Sequence, residues 1–313
     1  MQHFNLNVQR QLGDLFGAEI GYVGSTGSNL PIFIEVNPTT PIVSPVPALG
    51  ARKYPAFGLV RPTFSDAKSW YHALQSSLRM RSFHGFNMLA SYTWSHAIDH
   101  VSGLNIGGES RPVLPVNIGD QASIDSALTR EKGSALFDVR SRLVWSFGYE
   151  LPRFEKAGAV ARFVLGGWQM NGIFQAQTGF PLTVTEASNV SLTSLTNRPN
   201  VTCDPNSGGA QTPSQWFNTR CFSRLTQAAN AGQLGNEGRN IVRGPGFHSE
   251  DLSMFKTFPI RERLSVQFRA EAFNLLNHPR FNNPGGSVGT PLFGVLSAAG
   301  DGRVMQFAVK IGF

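Results

Sequence analysis

Between Phe86 and Asp99 the chain reads FNMLASYTWSHAID, and apolar and polar positions alternate without a break. Phe86, Met88, Ala90, Tyr92, Trp94, His96 and Ile98 form one set; Asn87, Leu89, Ser91, Thr93, Ser95, Ala97 and Asp99 form the other. Successive strand side chains point to opposite faces, so one face is apolar and aromatic and the other mostly small and polar. An ordinary strand runs about 5–6 residues, and this pattern is more than twice as long. A half-buried strand of a soluble sheet alternates in the same way over a shorter run. A tilted strand crossing a bilayer needs about 9–11 residues, apolar toward lipid and polar toward a lumen. Recurrence of the pattern is what separates the two.

The pattern recurs along the chain. Phe4, Leu6 and Val8 alternate up to Gly13-Asp14, and Phe16, Ala18, Ile20 and Tyr22 follow that turn. Leu74, Leu78 and Met80 oppose Gln75, Ser77, Arg79 and Arg81 between Trp70 and Phe83, and His84-Gly85 turns the chain into the stretch quoted above. From Phe137 to Leu151 the apolar set includes Leu143, Trp145, Phe147 and Tyr149, against Asp138, Arg140, Arg142, Ser146 and Glu150. From Trp168 to Val184 it includes Trp168, Met170, Phe174, Ala176, Phe180, Leu182 and Val184, against Gln169, Asn171, Gln175 and Gln177. Leu252, Met254 and Phe258 precede a turn expected around Pro259. Leu264, Val266, Phe268, Ala270 and Ala272 then oppose Ser265, Gln267, Arg269 and Glu271. Met305, Phe307, Val309, Ile311 and Phe313 close the sequence. This amounts to about nine strands, several about twice the usual length.

The links between them alternate in length. Short ones fall near 13–14, 84–85, 152–166 and 259–263; long ones, read as unstructured loops, near 25–69, 100–136, 186–249 and 277–302. A compact soluble domain rarely carries several loops longer than about 12–15 residues, still less all at one end. Outer-membrane barrels have this asymmetry, with short periplasmic turns and long extracellular loops. The expected fold is therefore all-β: an antiparallel up-and-down transmembrane β-barrel segment of about nine long strands. Tyr92 and Trp94 near the long-loop end, and Tyr149 and Trp168 near short links, are placed as aromatic girdles would be.

Composition changes little in this picture. Over 313 residues, 41% are hydrophobic and 15% charged, with 33 Gly, 19 Pro and 24 Phe, as expected of a β-rich chain with many turns. No apolar run approaches 18 residues, which excludes a membrane-spanning helix; alternation hides a barrel from such a count. The net charge of +7 raises the question of nucleic acid. No basic cluster or recognition motif supports it, and dispersed arginines at strand ends suit a surface beside anionic headgroups. The two cysteines, Cys203 and Cys221, share one long polar loop. In an oxidising compartment they read as a loop-closing disulfide, in the cytosol as two free thiols; export to the outer membrane points to the bond.

Candidate chemistry is sparse. His96 and Asp99 are three apart on a strand and face opposite ways. Gly24-Ser25-Thr26-Gly27 lacks the order of a nucleophile elbow, and GRNIVRGPG punctuates a loop rather than cradling a phosphate. No enzyme, metal or cofactor is expected. The amides Gln169, Asn171, Gln175 and Gln177, with Arg140, Arg142, Arg269 and Glu271, are expected on the lumenal face, where they either pack against one another and a plug or line a watery path.

Five blocks carry a family resemblance: YHALQSSLRMRSFHGFNMLASYTWSHAID, DVRSRLVWSFGYELP, GGWQMNGIFQAQTGFPLTV, GNEGRNIVRGPGFHSEDLSMFKTFPI and FRAEAFNLLNHPRFNNP. Together with the closing VMQFAVKIGF they resemble the TonB-dependent receptor family, its Oar-like barrels in particular, in the family's order over most of residues 70–313. The resemblance implies an outer-membrane barrel of about 22 strands with a plugged lumen, taking up a bulky nutrient with energy from an inner-membrane complex. The blocks match the C-terminal portion of such a barrel. Residues 1–313 are thus expected to be one barrel part, with plug domain, signal peptide and first barrel strands outside it. The implied partners are outer-membrane lipid and lipopolysaccharide, the barrel assembly machinery, and the plug and TonB complex of a full-length parent. Phe307, Val309, Ile311 and Phe313 resemble the terminal strand by which such barrels are recognised for insertion. The implied location is the outer membrane of a Gram-negative bacterium.

Overall fold

The computed structural model describes residues 1–103, 119–156, 158–192, 196–230, 232–261 and 264–313. Nine long strands form one antiparallel sheet in which each pairs with the next in sequence: β1 Gln2–Leu12, β2 Phe16–Phe33, β3 Thr63–Phe83, β4 Phe86–Asp99, β5 Ser141–Glu150, β6 Trp168–Gln177, β7 Phe247–Arg261, β8 Leu264–Phe273 and β9 Val304–Gly312. β1 and β9 each have one edge unpaired among the described residues, so the sheet is an open arc with up-and-down topology.

The register preserves the alternation from strand to strand. Leu6 lies opposite Tyr22, Tyr22 opposite Leu74, Leu74 opposite Trp94; Ala90 lies opposite Trp145, Trp145 opposite Phe174. Met170 meets Met254, Met254 meets Ala270, and Ala270 meets Phe307. Directly opposed residues share a face, so one continuous apolar surface runs across all nine strands. Apart from its turn end, where the Phe163 ring of the 151–167 link lies 5.2 Å from Phe258, its large side chains stay exposed: Leu6 is 70% exposed and Val309 66%. The buried apolar residues cluster instead in and above the long-loop end, where Ile34 and Val184 are 0% exposed. A protein dissolved in water would not leave a face this large uncovered while burying its loops. A barrel in lipid has this distribution.

The strands outrun the sequence expectation at their loop ends. β2 continues to Phe33 and β3 starts at Thr63, so the expected loop 25–69 shrinks to residues 34–62. β3 has 21 residues, about 70 Å at ~3.3 Å each, against ~30 Å of hydrocarbon. Its upper part protrudes, and there Ile32 and Ala67 pack against helix α1, Gln121–Glu131. That helix lies in the loop expected to be unstructured, of which residues 104–118 are outside the described set. Asp120 caps it by accepting from the Ser123 N–H at 3.3 Å, and Ile124, Ala127 and Leu128 form its buried stripe.

Further boundaries differ. β6 ends at Gln177 rather than Val184: Thr178-Gly179-Phe180-Pro181 breaks the ladder, and Pro181–Leu182 pairs with Val242–Arg243 in the loops. β7 runs through Pro259, where a turn was expected, because the register with β8 slips there between Pro259 and Arg261; part of that expected turn, residues 262–263, is outside the described set. The 151–167 link carries a short helix α2, Ala159–Leu165, whose Val160, Phe163 and Leu165 are exposed. Lys256, on the apolar face beside it, donates to the Phe163 carbonyl and lies 5.0 Å from the Phe258 ring centre, its charge carried to the turn-side rim.

Candidate ligand-binding face and mouth

The polar face is built by the same register. Gln169, Asn171, Gln175 and Gln177 follow one another along β6, opposite Glu150, Gly148, Val144 and Arg142 on β5. On the other side they meet Phe255, Ser253, Ser249 and Phe247 of β7, and Arg269 and Glu271 of β8 continue the row opposite Phe255 and Ser253. Gln169 Nε2 donates to Glu150 Oε1 at 3.4 Å, and Arg269 Nε donates to Gln267 Oε1 at 2.6 Å while stacking 5.6 Å from the Phe255 ring. The column thus shares one face and partly satisfies itself.

Arg140 departs from it. The chain joins the ladder only at Ser141, so strand parity does not govern residue 140. The Arg140 guanidinium is drawn to Asp138 and lines a groove with Tyr92, Leu143 and Ala176, all on the apolar face. Of the aromatic residues singled out, Tyr92 and Trp94 lie at the long-loop end, opposite Leu143 and Ser141. Tyr149 and Trp168 lie at the turn end, where Trp168 Nε1 donates to the Val164 carbonyl at 2.9 Å. Phe307, Val309 and Ile311 lie on the apolar face opposite Ala270, Phe268 and Val266, and Phe313 follows the strand, fully exposed.

At the loop end the polar face opens into a cavity of about 930 Å³. Gln175, Gln177, Phe247, Ser249 and Asp251 form its wall on β6 and β7; Phe180, Arg280, Phe281, Asn282 and Asp301 reach over it from the loops. Arg280 stacks 4.0 Å from the Phe247 ring. The cavity combines apolar ring faces with amides and both signs of charge, a lining suited to an amphipathic guest. Sequence reasoning missed these loop residues, because HPRFNNPGG follows no period; its density of turn formers beside Phe281 was the available signal.

The loops around this mouth are a folded cap. Cys203 and Cys221 are bonded, and Cys221 is buried with Phe217, Phe222, Leu182, Val184 and Val242. Ion pairs tie these segments together: Arg198 to Glu131 of α1 and Arg239 to Asp99 at the end of β4, both buried, and the partly exposed Arg243 to the buried Asp138. Arg239 Nε also donates to the Glu131 carbonyl at 2.8 Å. Asp99 of the SHAID stretch is therefore a structural anchor, while His96 lies across from His72 on the other face. Glu237 accepts from the Val184 N–H at 2.8 Å, and burial pushes its carboxyl up to about 8 despite Arg198 and Arg130 nearby. Among the described residues no group of three metal-ligating side chains converges.

This fold defines an outer-membrane β-barrel. The comparisons agree: the family model of the outer membrane beta barrel domain matches residues 1–306, and the chain belongs to that family. It is also similar in fold to the outer membrane transporter YddB from Escherichia coli, with a TM-score of 0.52 at 11% identity over 99% of this chain. The chain spans 32% of the transporter's length. None of the curated proteins matches the sequence. The protein is placed in the outer membrane by its family and fold.

Proposed function

We propose that the chain is the barrel part of an active transporter resembling the TonB-dependent receptors, taking up a bulky nutrient captured at the lumenal mouth. One observation carries this reading: the ~930 Å³ cavity opens on the polar face under a folded cap, within a fold shared with an outer membrane transporter. Aromatic rings and amides would hold the guest, and the amide column of β6 continues from the cavity toward the turn end. A plug domain and the inner-membrane TonB complex would complete the parent protein, and lipopolysaccharide and the assembly machinery would be its membrane partners. No catalytic role is proposed.

The test works without naming the nutrient in advance. Strains of the producing bacterium lacking this gene, or lacking TonB, are grown on mixed nutrients, and the compounds left in the medium are compared. Active uptake is expected to leave the same compound unconsumed in both strains, and in a strain carrying Phe247→Asp. Loss in the gene deletion with normal consumption in the TonB deletion would assign a passive pore instead.

A further inference from the structure

At the long-loop end of the apolar face, Tyr92, Leu143 and Ala176 lie side by side on β4, β5 and β6. They floor a groove of about 580 Å³, and Arg140 and Arg243 stand at its upper rim. The two guanidiniums share one carboxylate. Arg140 Nε donates to Asp138 Oδ2 at 2.9 Å, and Arg243 Nη2 donates to the same oxygen. The Asp138 side chain is 0% exposed, and its other oxygen accepts from the Ala97 N–H at 2.7 Å. Two cations against one anion leave about one positive charge in excess. Arg140 carries it outward: its side chain is 43% exposed, and its terminal nitrogens bond to no described residue. Among the described residues no Asp or Glu lines the groove. The nearby Glu250 of β7 is engaged by His248 Nδ1 at 2.8 Å.

We propose that this groove binds a phosphorylated lipid of the outer leaflet, its phosphate on Arg140 and Arg243 and an acyl chain along Leu143 and Ala176. The Arg140 fork matches phosphate oxygens in pairs, while Arg243, a quarter exposed with Nη1 on the Asp138 carbonyl and Nη2 on Asp138 and Ser134, adds its charge beside it. The floor belongs to the face that meets the bilayer, which selects a lipid over a soluble phosphorylated molecule. Tyr92, its hydroxyl 3.0 Å from Ser141 Oγ, sits where an amphipathic ring meets headgroups. This inference rests on the outer-membrane location and is independent of the proposed transport.

The experiment uses protein extracted in mild detergent from outer membranes and native mass spectrometry. Lipid A competes with its dephosphorylated form, and inorganic phosphate is added in a separate arm. The wild type is expected to retain lipid A about tenfold better than the dephosphorylated lipid, with no displacement by millimolar phosphate. Arg140→Gln should lose about that tenfold, one charge-assisted contact, while its heat-modifiable mobility stays normal. Equal retention of the two lipids by the wild type would overturn the proposal. So would full displacement by inorganic phosphate, or wild-type retention by a folded Arg140→Gln. The wild-type lipid comparison decides the matter even if that variant does not fold.

Discussion

Ala90 sits between Leu78 and Trp145 across the ladder, whereas Ser91 sits between Ser77 and Val144. The two neighbours face different media, and charge tells them apart. Ala90→Arg in the inserted parent barrel should cost about 2–4 kcal/mol, and Ser91→Arg much less; equilibrium unfolding in lipid vesicles measures both, and equal losses would argue for a soluble two-sided sheet. Glu237 belongs to the cap and not to the membrane. Its carboxyl, raised to about 8 from 4.5, keeps in the folded state a proton that the unfolded chain loses above about 4.5. Stability therefore falls as pH rises from about 4.5 to 8 and levels off beyond, with a slope on the order of 1.4 kcal/mol per unit. Glu237→Gln should flatten that slope, read from the loop transition through Trp216, whose indole donates to the Arg243 carbonyl inside the cap. An unchanged slope would mean that the buried group carries its charge. Cys203 and Cys221 close a stretch with a sequence separation of 18. Denatured, unreduced protein from the outer membrane should show no reactive thiol, and two per chain would contradict the bond.

At the scale of elements, the strands were legible in the sequence and the cap was not. A period of two over ten or more residues leaves little freedom, and both faces of β4 through β9 could be assigned by parity alone. Parity failed where the ladder stops. Arg140 lies one residue outside β5, and Phe180 to Val184 read as strand although Gly179 passes against the Gly244 backbone, where a Cβ would lie 1.9 Å from the Gly244 carbonyl oxygen. The helix in the 100–136 loop was missed because three apolar residues, Ile124, Ala127 and Leu128, make a weak period among polar neighbours. The buried pairs Arg198–Glu131 and Arg239–Asp99 join residues far apart in sequence, so no local spacing announces them. Cap and barrel should come apart experimentally. Leu128→Ala, which empties part of the first loop core, should cost about 2–5 kcal/mol of cap stability. Limited trypsin treatment is expected to cut its loops while the heat-modifiable barrel survives; loss of the barrel with the loops would show the two to be one cooperative unit.

At the scale of the molecule, one arrangement explains where polarity lies. The sheet turns a continuous apolar face outward and a polar face inward, and the loops at one end bury the only apolar cores found among the described residues. The bilayer is thus the missing half of the packing, which is why strands such as β1, exposed along its length, are stable parts of the structure only in that setting. The measurement that tests this most directly is a cysteine scan of β4 in outer membranes, residues 86 to 99 replaced one at a time, with the native cysteines held in their disulfide. A fluorescent thiol label at each site is quenched in turn by a lipid-borne and a water-soluble quencher. The expected result is a period of two: lipid quenching at positions 88, 90 and 92, aqueous quenching at 89, 91 and 93, and aqueous quenching alone toward Asp99. Uniform quenching along the strand, or protection from both quenchers, would contradict a membrane-spanning barrel.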